Sequence, residues 1–514
     1  MRSPIGIANR IAPQYRATKS ARRSAPGDLP AGPGPCDDAG TGVRRPRAAD
    51  APILPRIMQL KRFETPGIAH YAYLIADGSE AAVVDPRRDV DVYLDAARAA
   101  GVRIRSVVET HRQEDFVMGS AALAAASGAE VVNGDHRLFG HGDRRLADGD
   151  EVRLGDLRIV ALHTPGHTPE SVCYALYEPG EAREPWGLFT GDALFYGSTG
   201  RTDLADAEKT GENAALLYDS LHGKLEPLGD AALVLPAHGP GSVCGSGMAE
   251  RPWSTLGEEK RSNEVFTLDR DGFARKKASE RLPRPPYFRH MEEVNLAGGL
   301  PDRRLRSVPL VDVDAFADGR QDALVFDTRE PEAFAGGHLQ GSYGIWLDGL
   351  PVFGGWVADA HTPIRLVTDR DGDVATAALH LSRIGLDNVR AALAGGFGSW
   401  RVSGRPIENS GVITPRELHE ARDRFQVLDV REEAEFAEGH IPGAHHLYVG
   451  DLPTGLADLP LDPAAPLVVT CSVGHRAGLG VSILLRGRFR DVRNLLGGMT
   501  AWQALELPVA KRRD

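Results

Sequence analysis

The 514-residue sequence predicts an α/β protein of about three domains. Three observations predict it. Apolar runs of strand length in the first half end in loops that carry His or Asp. Helical stretches between such runs are stopped by glycines. Beyond about Leu300, one pattern of strand, helix and glycine positions is written twice.

Composition narrows the function classes. An apolar content of 42% is enough to bury real cores. The net charge of −11 argues against nucleic acid as a partner, because phosphate binding wants a basic surface. No run of about 20 apolar residues is present to span a membrane. Four cysteines (Cys36, Cys173, Cys244 and Cys471) are too few and too scattered for a disulfide framework, so a reducing, cytoplasmic setting is expected.

Residues 1–57 are rich in Arg, Ala, Pro and Gly, with no repeating apolar face, and are expected to be a disordered tail. Two readings stay open for them: a transit peptide addressing an organellar matrix, since the first 27 residues carry no acid, or an extension ahead of a true start at Met58. From Met58, Tyr71 to Ala76 and Ala81 to Val84 read as strands around the turn Asp77-Gly78-Ser79-Glu80. Val90 to Ala100 reads as a helix ended by Gly101, and Val117 to Ala126 as another ended by Gly128. Between them the strand Ile104 to Val108 leads into Glu109-Thr110-His111-Arg112-Gln113-Glu114-Asp115-Phe116. Leu157 to Leu162 leads into His163-Thr164-Pro165-Gly166-His167, Leu188 to Gly191 into Asp192, and Ala232 to Leu235 into Pro236-Ala237-His238. Loops at strand ends are where open sheets gather functional side chains.

The His111 loop resembles the Thr-His-x-His-x-Asp-His loop of the metallo-β-lactamase superfamily, with Gln113 and Phe116 in place of its second and third His. The resemblance covers roughly Met58 to Asn295 and implies a four-layered αββα sandwich. A zinc pair needs both missing histidines, whereas a mononuclear Fe(II) site needs one His here, one later His and one Asp. Two neutral imidazoles and a carboxylate, with positions left open, form the facial-triad donor set of non-haem iron. The candidate ligands are therefore His111, His167 and Asp192, holding one Fe(II) per chain, with Zn as the alternative; Asp115 and His238 are candidates for an outer role or a second metal. Gly200-Arg201-Thr202-Asp203 looks like a stretch of the persulfide dioxygenases within that superfamily. Arg201 is expected either to meet the anionic end of glutathione or coenzyme A or to brace its loop on Asp203. Cys244, six residues beyond His238, is a further substrate-side candidate, and Cys173 reads as buried and inert.

In the second half, an offset of 102 carries Asp327 to Asp429, Arg329 to Arg431, Phe334 to Phe436, His338 to His440, Gly341 to Gly443 and Trp400 to Trp502. The expected domains are thus 58–300, 305–407 and 411–511. Both copies resemble the rhodanese family. The second carries Cys471-Ser472-Val473-Gly474-His475-Arg476, the family's Cys-x-x-Gly-x-Arg loop, between a strand and a helix. Its amides, the helix N-terminus and Arg476 should favour a thiolate or persulfide on Cys471. The same offset puts Asp369, Gly372 and Val374 in the first copy, which has lost nucleophile and arginine and reads as a spacer or docking domain.

This order of domains resembles fused persulfide dioxygenase and sulfurtransferase proteins of sulfide detoxification. It implies oxidation of a glutathione or coenzyme A persulfide by O2 to sulfite, with Cys471 interconverting sulfite and thiosulfate. Two other classes stay open: a thioester hydrolase of the hydroxyacylglutathione type, with metal-activated hydroxide, and a sulfur carrier with a vestigial metal domain. A homo-oligomer is also left open.

Overall fold

In the computed structural model the described residues are 58–181, 183–300 and 307–511. The expectations for residues 1–57, Cys36 among them, lie outside these. Two six-stranded sheets form the first half. One runs Gln59–Thr65, His70–Asp77, Glu80–Val84, Arg103–Val108, Glu130–Gly134, Arg144–Leu146 in spatial order. The other runs Ser254–Thr255, Leu233–Pro236, Gly187–Gly191, Val172–Tyr177, Leu157–His163, Glu151–Leu154. Their inner faces share one buried layer in which Tyr73, Val84 and Val108 meet Ile159, Tyr174 and Phe189. Helices Asp91–Ala100 and Ser120–Ser127 cover the first sheet, and Thr210–Lys224 and Arg270–Ser279 the second, which completes an αββα sandwich.

Local chemistry accounts for most element ends. Helix Asp91–Ala100 stops at Gly101, whose left-handed backbone (φ 68°) lets its amide reach back to the carbonyls of Ala97 and Arg98. Helix Ser120–Ser127 begins three residues later than the sequence suggests. The reason is tertiary: Met118 pairs with Arg87 in an isolated antiparallel bridge and the Gly119 amide donates to the Pro86 carbonyl, so the backbone ahead of Ser120 is held on the neighbouring loop.

The second half repeats itself in three dimensions. Each copy is a five-stranded parallel sheet with one strand order: Leu310–Val311, Val389–Leu393, Ile364–Val367, Leu324–Asp327, Tyr343–Gly344 in the first, and Gly411–Ile413, Val492–Leu495, Leu467–Thr470, Gln426–Asp429, His445–His446 in the second. The shared residues make shared contacts. Arg329 grips Asp327 and the Gly337 carbonyl as Arg431 grips Asp429 and that of Gly439. Trp400 donates to the Pro406 carbonyl as Trp502 does to that of Pro508.

One buried cluster runs through both copies and reaches the metal domain at Val117, Tyr287, Phe288 and Met291. Ion pairs add to it. Arg88 forms a two-bond fork with Asp387, and Arg383 another with Asp89, which also holds Arg87. The first copy therefore docks on the loop after Val84 and on the residues after the His111 loop. Removing the Arg383 fork should cost about 1.5–3 kcal/mol, the range for hydrogen bonds to charged groups. The expected result for Arg383→Ala is a lower urea midpoint with little change in slope.

Candidate metal centre

All four loops expected to carry metal-side residues leave the C-terminal ends of strands, and the fold brings those ends together. His111 follows Arg103–Val108, His167 follows Leu157–His163, Asp192 follows Gly187–Gly191 and His238 follows Leu233–Pro236. All four are buried.

Each ring is aimed by its other nitrogen. Asp85 accepts from both the amide and the hydroxyl of Thr110, at 2.8 Å each. With that hydroxyl proton committed, Thr110 Oγ1 is left to accept from His111 Nδ1 at 2.9 Å. His167 Nδ1 lies 2.7 Å from the Arg201 carbonyl, which can only accept. Both rings thus present the Nε2 lone pair to the pocket, as outer partners do for metal-binding histidines. His111 Nε2 and His167 Nε2 stand 3.8 and 3.5 Å from Asp192 Oδ2, and neither has a hydrogen-bond partner. Donors held at about 2.0–2.2 Å from one ion lie about 3–3.5 Å from each other, so these residues fit a single metal. Burial pushes the His111 imidazole down to about 4, which keeps it neutral.

Two glycines make this approach feasible. Gly191 has φ +51° and packs its backbone on Thr110, where a Cβ would lie 2.6 Å from Oγ1. A Cβ on Gly200 would lie 2.2 Å from the Asp192 carbonyl oxygen and 2.7 Å from His167 Nδ1.

Asp115, His238 and Cys244 form a second buried group whose donor atoms lie close enough together to hold a metal. His238 Nδ1 lies 2.8 Å from Asp192 Oδ1 and its Nε2 lies 3.0 Å from Asp115 Oδ2. Burial would lower its pKa, but Asp115 and Asp192 on either side hold it well above the ordinary imidazole range. Phe116 stands beside it and packs on His70 with ring centroids 4.2 Å apart. Cys244 lies against the Asp115–His238 pair, and burial, then the charges of Asp115 and Asp192, push its thiol far up.

The thiol site lies in the second copy. Cys471 is buried, and its Sγ accepts from the Gly474 amide at 3.1 Å. Gly474 has φ +113° and caps the helix His475–Arg486. Arg476 forks Glu435 at 2.6 and 2.8 Å and reaches Ser472 Oγ at 2.7 Å. Burial alone would raise the Glu435 carboxyl, but those Arg476 contacts hold it at about 2. His475 meets two residues of the first copy, Glu330 at 3.1 Å and the Trp346 ring at 4.8 Å, while Val473 is exposed.

The metallo-beta-lactamase superfamily model matches residues 65–238, and the rhodanese-like domain model matches twice, over 312–403 and 414–505. Mitochondrial persulfide dioxygenase ETHE1 of Bos taurus is 30% identical over 271 residues, covering 51% of this chain and 95% of that protein.

The chain belongs to the persulfide dioxygenase family.

This persulfide dioxygenase relative carries two rhodanese-like domains after its metallo-beta-lactamase fold. A hydroxyacylglutathione hydrolase of Anaeromyxobacter dehalogenans is 38% identical, over 34% of this chain and 62% of that protein. The crystal structure of a metallo-beta-lactamase from Staphylococcus aureus superposes with a TM-score of 0.59 at 29% identity, covering 66% of this chain and 99% of that one.

Within this family member, the expected residues divide into those the fold gathers and those it uses otherwise. His111, His167 and Asp192 converge, with Asp115, His238 and Cys244 beside them. Arg201 is corrected: its guanidinium forks Asp203 at 2.7 Å and donates to the carbonyls of Val243, Leu282 and Pro283, so it braces its loop and has no donors left for a substrate. Arg476 donates to Glu435 and Ser472, and its charge lies close enough to Cys471 for the two to interact. Glu114 was not singled out from the sequence, although it lies in the pocket; its only signal was an acid three residues beyond His111. Asn295 was also missed. It pins the metal loop by donating to the Gln113 and Phe116 carbonyls at 2.6 and 2.8 Å, and nothing near it in sequence marks it.

In the first copy Asp369 points outward, its side chain 70% exposed, and Val374 is buried in the core. Asp369→Ala should leave thiosulfate sulfurtransferase turnover at the wild-type level. A large loss in a folded variant would assign the activity to the other loop.

Proposed function

We propose that the chain is a non-haem Fe(II) persulfide dioxygenase coupled to a rhodanese sulfurtransferase, oxidising low-molecular-weight persulfides to sulfite and thiosulfate in sulfide detoxification. One observation carries the reading: the partnerless Nε2 atoms of His111 and His167 converge on Asp192. A redox metal there would supply O2 chemistry at the terminal sulfur of the bound persulfide. The chain's own part is to aim both rings through Thr110 and the Arg201 carbonyl and to fix Asp192 through His238.

The overall reaction balances as persulfide anion, O2 and water giving thiol, sulfite and a proton. At the second site the Cys471 thiolate attacks the outer sulfur of a second persulfide. The S–S bond of that donor breaks with its electron pair leaving on the donor thiolate, and Cys471 becomes a persulfide. Sulfite then takes that outer sulfur as thiosulfate, and the S–S electron pair returns to Cys471. The Gly474 amide stabilises the anionic sulfur in both states.

The relatives' names support persulfide as the substrate class, and glutathione and coenzyme A persulfides are the carriers to test. Anaerobically iron-loaded protein should hold one iron per chain and consume O2 with one of them. Two zinc ions without O2 uptake would favour the hydrolase reading instead.

A further inference from the structure

Glu114 has no role in a two-histidine, one-aspartate centre. It is fully buried, and neither carboxylate oxygen has a hydrogen-bond partner. A partnerless buried carboxylate is strongly unfavourable and needs a compensating cation. Arg112 meets only part of that need, as an ion pair without a hydrogen bond. Its NH1 is committed to Glu170 at 2.8 Å, and its Nε comes only within 3.8 Å of Glu114 Oε1.

The other oxygen points elsewhere. Glu114 Oε2 lies 3.5 Å from His167 Nε2 and 3.9 Å from His111 Nε2. These separations match those between the same two nitrogens and Asp192 Oδ2, 3.5 and 3.8 Å. The two partnerless imidazole nitrogens are thus flanked by one carboxylate oxygen from Asp192 and one from Glu114.

We propose that Glu114 is a fourth protein ligand of the metal, making this a two-histidine, two-carboxylate centre. The inference rests on the mononuclear-metal reading above. Two carboxylates match the charge of a divalent ion, and four protein donors leave fewer positions open than a facial triad does.

The test is anaerobic Fe(II) binding to the full-length chain against a competing chelator, together with the electron paramagnetic resonance spectrum of the ferrous–nitrosyl complex. The proteins compared are wild type, Glu114→Gln, Glu114→Asp and His167→Ala. Glu114→Gln should lose at least about tenfold in Fe(II) affinity and shift the nitrosyl spectrum. Glu114→Asp retracts the carboxylate by one methylene and should fall between the two, which keeps the proposal testable if the glutamine variant folds poorly. Wild-type affinity and spectrum in both variants, with metal lost in His167→Ala, would overturn the fourth ligand and leave the mononuclear reading standing. A wild-type chain that binds no single metal through His167 would overturn both.

Discussion

Cys471→Ser should change the product while leaving oxygen consumption nearly untouched. The serine hydroxyl is a far weaker nucleophile than a thiolate and cannot carry a persulfide, so sulfurtransferase turnover should fall to background. The metal loops share no residue with the Cys471 loop and sit on separate sheets, so O2 uptake should persist. In the wild type, sulfite released at one site meets sulfane sulfur on Cys471 at an effective concentration on the order of mM, set by the tether. Thiosulfate should therefore dominate for the wild type and sulfite for the variant. The measurement belongs at low persulfide, where uncatalysed reaction of sulfite with persulfide is slow. Equal thiosulfate fractions from the two proteins would mean that the sites do not exchange sulfur in this way.

The second large effect separates ligands from their supports. His111→Ala, His167→Ala and Asp192→Ala each remove a donor from the convergent set and should leave the desalted protein without iron and without O2 uptake. His238→Ala should behave differently. It keeps every donor but takes away the partner that fixes Asp192 Oδ1, and loss of such an outer contact costs roughly 10–100-fold in metal affinity. The variant should still load one iron when the metal is in excess. Complete loss of iron in a folded His238→Ala protein would move His238 into the ligand set.

Much of this molecule was legible from residue patterns. The glycine stop at Gly101, the strands ending at His111, His167 and Asp192, and the repeat that pairs Asp327 with Asp429 all depend on interactions close in sequence. Such signals survive in a linear reading because backbone geometry and side-chain periodicity are local. The choice of metal-side residues also followed from type and order, since few donors stand just after strands.

What the linear order could not decide was which way those side chains face and which of their atoms remain free. Arg201 and Asp203 are adjacent enough to suggest a brace, but only the carbonyls of Val243, Leu282 and Pro283, distant in sequence, show that no donor is left over. Glu114 read as a loop acid until folding removed water and every hydrogen-bond partner from it and set it against two imidazoles. His238 lies between carboxylates of two separate loops, Asp192 and Asp115, a placement that its own stretch of sequence does not mark. The sequence by itself determined the domain order, the His and Asp residues at strand ends and the difference between the Cys471 loop and its counterpart at Asp369. Tertiary structure decided the start of helix Ser120–Ser127, the role of Arg201 and the make-up of the metal pocket, because burial and hydrogen-bond completion are set by groups that come together only in the folded chain.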